Sequence, residues 1–452
     1  MSSCLSMKHN IPLLTIFAAI LVVACSTNIL SAEERPNFVI IMADDLGYGD
    51  LSSYGGWIET PNIDRLAEEG LRFTDYHSAG NVCSPTRAAL MTGCYQQRTG
   101  ISGVVYADPA REEHKHGLQV SEVTFAEMLN EAGYATALFG KWHLGYERQY
   151  NPVHHGFEEF KGYVSGNVDF ISHVDQAGTY DWWHDLELVV EEGYSTHLIT
   201  EHGLRFIEEH KDESFCLYMP HEAPHYPYQA PDDPAIRTAG VKGANRSLER
   251  TDVQEAYREM VVEVDRGVGQ IIELLEELEL DEKTLVLFLS DNGACQRGDN
   301  GPLRGFKGSN WEGGHRVPCI AWMPGYVDPG ETDQPSITFD IMPTLLSMAN
   351  IPIPGTVLLD GESWEPLLKT GQACCGPREL YWNGKAMRDG DWKLILNGKG
   401  ASSEVELYYL ADDMGEENDL SAEHPDRVQT MRTMIELWIE DVEDGATEQP
   451  AP

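Results

Sequence analysis

Two acidic pairs carry the first hint of chemistry. Asp44-Asp45 directly follows the apolar run Phe38–Met42, and Asp291-Asn292 follows Thr284–Ser290 in the same way. Short runs of this kind read as strands buried on both faces, and in an open parallel sheet ligands collect beyond the carboxyl ends of the strands. Each pair alone is ordinary turn chemistry. At matching strand tips they offer three carboxylates and one amide oxygen to a hard cation, a donor set that suits Ca²⁺ or Mg²⁺ and not zinc. A third feature is Cys83-Ser-Pro-Thr-Arg87, which opens a helical stretch through Thr92 with Pro85 in the first turn, where its missing N–H is no loss. Cys83 then sits at a helix N-terminus, a place that favours negative charge and points free N–H groups at an anion. By position alone, a half-cystine paired with Cys94 and an inert buried thiol are equally open.

These tips need a scaffold that brings them to one edge. Besides the two runs above, Ala135–Phe139 and Ser214–Met219 read as buried strands, and Pro61–Gly70, Ser121–Gly133, Ser195–His210 and Val253–Leu280 carry helical patterns. The alternation predicts an α/β fold: a large, mainly parallel sheet sandwiched by helices. The glutamates between Glu273 and Glu282 read as a solvated helix face. From Gly371 the texture changes. Glu379–Trp382, Trp392–Leu396 and Val405–Leu410, separated by Asn-Gly and Asp-Gly turns, predict an antiparallel meander followed by a helix from Asp426 to Asp441, hence a small α+β subdomain. The expected division is a leader over 1–32, a catalytic domain over 33–370 and the subdomain over 371–452.

The chain has 452 residues and 42% hydrophobic content, enough for a large core. Lys and Arg number 32 against 74 Asp and Glu, a formal charge of −42 that repels phosphate backbones and excludes nucleic acid as a partner. An anionic substrate therefore needs a local concentration of cations. Lys8 and His9 precede a 14-residue apolar run, Ile11–Ala24, too short to span a bilayer but suited to a signal-peptide core. The protein is expected to be exported, to the periplasm or the exterior. Val22-Val23-Ala24-Cys25 has the form of a bacterial lipobox with Cys25 as lipid anchor, whereas cleavage after Ala32 releases a soluble protein; both routes stay open. Seven cysteines follow the leader, Cys83, Cys94, Cys216, Cys295, Cys319, Cys374 and Cys375, without a CxxC pair, so no structural zinc site is expected. Cys216, Cys295 and Cys319 lie in apolar runs and read as small buried hydrophobes.

Cys83-Ser-Pro-Thr-Arg-Ala-Ala-Leu-Met-Thr-Gly93 resembles the signature of the formylglycine-dependent sulfatases, whose fold is that of the alkaline phosphatase superfamily. Five more segments agree in order: Pro36–Gly47, Gly140-Lys-Trp-His-Leu-Gly145, Ala223-Pro-His225, Asp291-Asn-Gly293 and Lys307–Pro318. The resemblance implies a sulfuric ester hydrolase in which Cys83 is oxidised to formylglycine (3-oxoalanine) by a separate formylglycine-generating enzyme. It implies one Ca²⁺ held by Asp44, Asp45, Asp291, Asn292 and residue 83. Arg87 matches the residue that steadies the formylglycine. Lys141 and His143 match a catalytic Lys-x-His, and being two apart in extended chain they face one way. His225 and Lys307 match groups that bind sulfate and assist the leaving group, and Ser165 is a weaker match to a hydroxyl near the formylglycine. A hydrated aldehyde has two hydroxyls on one carbon, one to attack sulfur and one to expel sulfate. Arg87, Lys141, Lys307 and Ca²⁺ then stabilise the sulfuryl oxygens, with His143 as base and His225 as acid.

The expected substrate is a sulfated carbohydrate, with galactose or N-acetylgalactosamine sulfates preferred within the class. His221, Glu222, Asp169 and His173 are candidates for the sugar subsite, Trp182-Trp183-His184 reads as core with a stacking face as alternative, and His114-Lys-His116 and His154-His155 as solvated loops. Two competing readings stand: a phosphatase or phosphonate-ester hydrolase on the same fold, and a catalytically silent, calcium-dependent glycan binder.

Overall fold

In the computed structural model, residues 35–373, 376–397 and 404–450 are described, together with Met1. The leader with its lipobox Cys25, and Cys374 and Cys375, lie outside the described residues. Sixteen strands occur in chain order: β1 Asn37–Ala43, β2 Leu71–Phe73, β3 Tyr76–His77, β4 Ala135–Lys141, β5 Glu159–Tyr163, β6 Trp183–His184, β7 Glu187–Leu188, β8 Phe215–Pro220, β9 Thr284–Ser290, β10 Cys319–Trp322, β11 Gly330–Thr332, β12 Ser336–Ile337, β13 Glu379–Trp382, β14 Ala386–Asp389, β15 Trp392–Asn397 and β16 Glu404–Tyr409. Ten form one sheet in the order β11-β2-β10-β9-β1-β8-β4-β5-β6-β7. Its centre, β9-β1-β8-β4-β5, is parallel throughout; β10, β6 and β7 run antiparallel to their neighbours.

The expected α/β class holds, and its cause is visible in β1. All seven residues are buried, but they divide by parity. Phe38, Ile40 and Met42 enter one core with Leu90 and Met91 of the helix Cys83–Thr92 and Leu129 of the helix Phe125–Glu131. Val39, Ile41 and Ala43 enter the other, with Leu66 of Pro61–Glu69, Ile199 of Ser195–Glu209 and Val264 of Val253–Glu277. Each large side chain so buried is worth about 1.5–3 kcal/mol, which drives a strand with no polar face to the middle of a sandwich.

The helix expected from Ser121 begins later, at Phe125. Thr124 is the reason: its Oγ1 accepts from the Glu127 N–H at 3.1 Å while the Glu127 carboxylate accepts from the Thr124 N–H at 2.9 Å, a capping box that outcompetes the earlier serine. The C-terminal sheet has four strands, β13-β14-β15-β16, all antiparallel; Ala386–Asp389 is the member the turn spacing left unassigned. The helix Pro425–Glu443 covers it through Met431, Ile435 and Trp438.

Candidate active site

Four adjacent parallel strands end on one edge, and each delivers a functional segment. β1 leads into Asp44-Asp45, β9 into Asp291-Asn292, β8 into His221–His225, and β4 ends on Lys141 with His143 just beyond. The register pairs Ala43 with Ser290 and Met42 with Pro220, so these tips lie level. Continuation of the ladder holds them: the Asp291 N–H donates to the Ala43 carbonyl at 3.2 Å and the His221 N–H to the Met42 carbonyl at 2.8 Å. Asp45 and His143 both sit at positive φ, 64° and 57°. Such conformations cost free energy and persist where the surroundings over-determine them, as they do at functional sites.

Cys83 is the first residue of its helix and points at this edge. Its thiol donates to Asp44 Oδ1 at 3.3 Å, and Lys307 Nζ lies 3.2 Å from Sγ and 2.5 Å from Asp45 Oδ1. Lys141 Nζ pairs with Asp44 Oδ2. Arg87, four residues along the helix, reaches Asp291 Oδ2 at 2.9 Å and the Lys141 carbonyl at 3.1 Å, tying helix, β9 and β4 together. His225 Nε2 is 3.7 Å from Asp45 Oδ2. Three carboxylates and three cations thus meet around one thiol, and this is the cation cluster that so acidic a chain requires for an anionic ligand.

The electrostatics follow from this packing. Burial alone would raise both aspartates. Lys141, His225 and Arg87 nevertheless hold Asp44 below its ordinary value, and Lys307 and His225 do the same for Asp45. Burial would lower the Lys307 ammonium, but Asp45, Cys83, Asp44 and Asp291 hold it well above its usual range. Burial pushes the Cys83 thiol up, and the Asp291 and Asp44 charges add to that. Burial, then Lys141 and Arg87, depress His143 well below an ordinary histidine, which keeps it neutral. Its Nε2 is 2.9 Å from the Val105 carbonyl, which can only accept, so the proton is on Nε2; Nδ1 is left buried and without a partner.

The donor set fits a hard cation. Asp44, Asp45 and Asp291 converge, and Asn292 Oδ1 is buried with no hydrogen-bond partner although its Nδ2 donates to Asp45 Oδ1 at 2.7 Å. An orphaned amide oxygen beside three carboxylates is what a calcium-class ion would satisfy.

A family model for sulfatases matches residues 36–351. The chain belongs to the sulfatase family. Human N-acetylgalactosamine-6-sulfatase is 33% identical over 377 residues, covering 77% of this chain and 69% of the relative. Human arylsulfatase A is 35% identical over 374 residues, covering 75% and 69%. Among solved structures, that of Ps i-CgsB in complex with k-i-k-neocarrahexaose superposes with a TM-score of 0.80 at 28% identity, covering 92% of this chain and 95% of that one. The protein is therefore a sulfatase.

Above Cys83 the sulfatase site opens into a cavity lined by Val104–Ala107, His143, Tyr146, Gly166, Asn167, Gln176, His225 and Lys307. Of these, Val104–Ala107, Tyr146, Gly166, Asn167 and Gln176 carry no sequence signal. Gly166 is required: a Cβ there would come within 2.7 Å of His143 Nε2. Several sequence assignments need correction. Ser165 is fully buried behind the wall, its hydroxyl turned to the Asn167 carbonyl at 3.1 Å, so its neighbours and not its side chain face the cavity. Asp169 is no sugar ligand: its carboxylate accepts backbone N–H groups of Ile171, Ser172, Ile236 and Arg237 and shapes the loop. His173 stacks on the buried Trp182 ring at 4.3 Å. His221 is buried, and Glu222 spends Oε1 on the Val168 N–H at 2.8 Å. His155 is fully buried against Trp142, not solvated, and His114 props the cavity rim, stacked on Tyr146 with Nδ1 2.8 Å from the Tyr106 carbonyl. Cys83 and Cys94 are both free thiols, and Cys295 is half-buried, 3.0 Å from the Tyr228 hydroxyl, while Cys216 and Cys319 lie in the core.

Proposed function

We propose that this sulfatase removes sulfate from a sulfated carbohydrate of the galactose or N-acetylgalactosamine class, using formylglycine made from Cys83 and one calcium ion. The observation that carries the reading is the environment of residue 83: a helix N-terminus on the cavity floor, within 3.3 Å of Asp44 and 3.2 Å of Lys307, with His143 and His225 on the same cavity wall. The sugar class is supported by the relatives, an N-acetylgalactosamine-6-sulfatase and a protein solved with a neocarrahexaose. Export and maturation by a formylglycine-generating enzyme belong to the same reading.

Asp44, Asp45, Asp291 and Asn292 would hold Ca²⁺, which supplies positive charge for the sulfuryl oxygens, and hydrated formylglycine supplies the hydroxyl nucleophile. The chain's own residues do the rest. Arg87, locked between Asp291 and the Lys141 carbonyl, holds the helix so that residue 83 keeps its aim. Lys141 and Lys307 bring fixed ammonium groups to the place where charge develops. His143 presents an unprotonated Nδ1 that can take a proton from the nucleophile's hydroxyls. His225 donates its Nδ1–H to the Tyr226 carbonyl at 2.7 Å, so Nε2 can protonate the departing sugar oxygen only from the imidazolium, the form that the neighbouring Asp45 and Asp44 charges favour against burial.

The test is sulfate release from a panel of sulfated glycans by calcium-loaded protein, beside Cys83→Ala, once peptide mass analysis has established conversion at position 83. Release is expected from a galacto-configured glycan and a loss of about 10⁴-fold or more in the variant, as for removal of a nucleophile elsewhere. Turnover of phosphate or phosphonate esters alone would replace this reading with the phosphatase, and glycan binding without turnover with the silent binder.

A further inference from the structure

Among the described residues, three groups of metal-ligating side chains bring their donor atoms within 4.8 Å of one another. One is the active site. The second, His77, Glu312 and His315, is wholly buried and already holds a cation, since Lys393 Nζ lies 2.8 Å from Glu312 Oε1 and 3.1 Å from His315 Nε2. The third is different. His184 on β6, next to the edge strand β7, Glu191 in the connection after β7 and His202 on the helix Ser195–Glu209 meet at the end of the sheet away from β9.

Their geometry is that of ligands around a point. His184 Nε2 is 3.1 Å from Glu191 Oε2, and His202 Nε2 is 3.1 Å from Oε1. The two rings stand nearly perpendicular, at 88°, so that both edges are aimed at one carboxylate. The carboxylate is itself oriented from behind: Trp182 Nε1, on a fully buried ring, donates to Oε2 at 2.6 Å. No lysine or arginine pairs with Glu191 among the described residues. The side chains are 31%, 22% and 12% exposed for His184, Glu191 and His202, enough for an ion and a water to enter.

We propose that His184, Glu191 and His202 form a second, structural cation site for a borderline dication of the Zn²⁺ type, with water completing the coordination. Two imidazoles and one carboxylate are a nitrogen-rich set that selects zinc over the oxygen-seeking calcium, and the strong negative charge of the chain favours entry of a dication. Trp182 is the positioning residue that holds the carboxylate ligand. The ion would staple the β6–β7 ribbon to the helix Ser195–Glu209. Through Asp181, which precedes Trp182 and accepts the Val164 and Ser165 N–H groups at 3.2 and 2.8 Å, it would brace the segment that carries Gly166 and Asn167 into the cavity wall.

The test uses the full, calcium-loaded protein, equilibrated with Zn²⁺ in excess calcium and passed through gel filtration, with retained zinc counted by elemental analysis and its neighbours read by X-ray absorption. One zinc per chain with two imidazole ligands is expected, together with a zinc-dependent rise in Tm. His184→Ala, at the most exposed ligand, should abolish both effects while the zinc-free Tm stays that of the parent, and Trp182→Phe should weaken zinc by about 10- to 100-fold. No retained zinc in the parent, retention undiminished in His184→Ala, or a spectrum with fewer than two imidazoles would each overturn the site. The readout does not involve sulfate release, so its failure is separable from failure of the proposed activity.

Discussion

Among the described residues, two buried ionic clusters have similar composition, and only one of them lies at the proposed reaction centre. At the strand tips, Asp44, Asp45 and Asp291 face Arg87, Lys141 and Lys307. Where the C-terminal sheet meets the main body, Asp75, Glu312 and Glu416 face Arg316, Arg388 and Lys393, with His77 and His315 between them. In the second cluster each histidine uses both nitrogens. His315 Nε2 lies 3.1 Å from Lys393 Nζ and its Nδ1 3.0 Å from His77 Nδ1, while His77 Nε2 lies 2.8 Å from Asp75 Oδ1. In the first, His143 Nδ1 and Asn292 Oδ1 have no partner, and a cavity opens above them. Balanced buried charge is thus not what marks a catalytic centre. Polar atoms left unpaired beside an opening are, because their desolvation cost is recovered only when a ligand arrives.

Removing one cation from each cluster is the sharpest way to test this contrast. Lys393→Met leaves Glu312 and Glu416 buried without their ammonium and should cost about 3–5 kcal/mol of stability, read as a shift in the urea midpoint. A midpoint near that of the parent would mean the cluster is not a structural clamp. Lys307→Ala should instead lower turnover of a sulfate ester by about 10²–10³-fold, with a much smaller midpoint shift, because Lys307 stands at the open cavity. Equal destabilisation by the two substitutions would erase the distinction between the clusters.

The smallest expected effect is in pH dependence. Burial, and then the Glu312 charge, push the Glu416 carboxyl up to about 7 against the pull of Lys393, and Arg304 touches only the Glu416 carbonyl. A carboxyl whose folded value exceeds its unfolded one, about 4.3, contributes stability that is complete below the unfolded value and is lost as pH rises through the folded one. The unfolding free energy of the parent relative to Glu416→Gln should therefore fall between about pH 4 and about pH 7 and level off above that. A difference independent of pH would show that Glu416 is ionised throughout and that the second cluster carries a fixed charge.

What could be read in advance was whatever is local along the chain. Asp44-Asp45 and Asp291-Asn292 announce themselves because each directly follows an uninterrupted apolar strand, and Cys83 with Arg87 because one helical turn separates them. The cavity wall gave no such sign. Val104–Ala107 is positioned by His114 and by the His143 ring, and Tyr146 by stacking on His114, contacts that no spacing encodes. Ser165 and Asp169 misled for the same reason: a buried hydroxyl or carboxylate in a loop looks alike in sequence whether it meets a ligand or satisfies the backbone, and here it satisfies the backbone.

By itself, then, the chain determined its α/β class, the strand tips that must share an edge and the residue types gathered there, since hydrophobic period and strand-end placement are short-range properties. Tertiary structure alone decided which polar atoms stay unpaired, which histidine nitrogen carries its proton, and that His184, Glu191 and His202 meet. Those outcomes depend on burial and on partners far away in sequence, and desolvation acts only once the sheet, its helices and the C-terminal strands have closed around them.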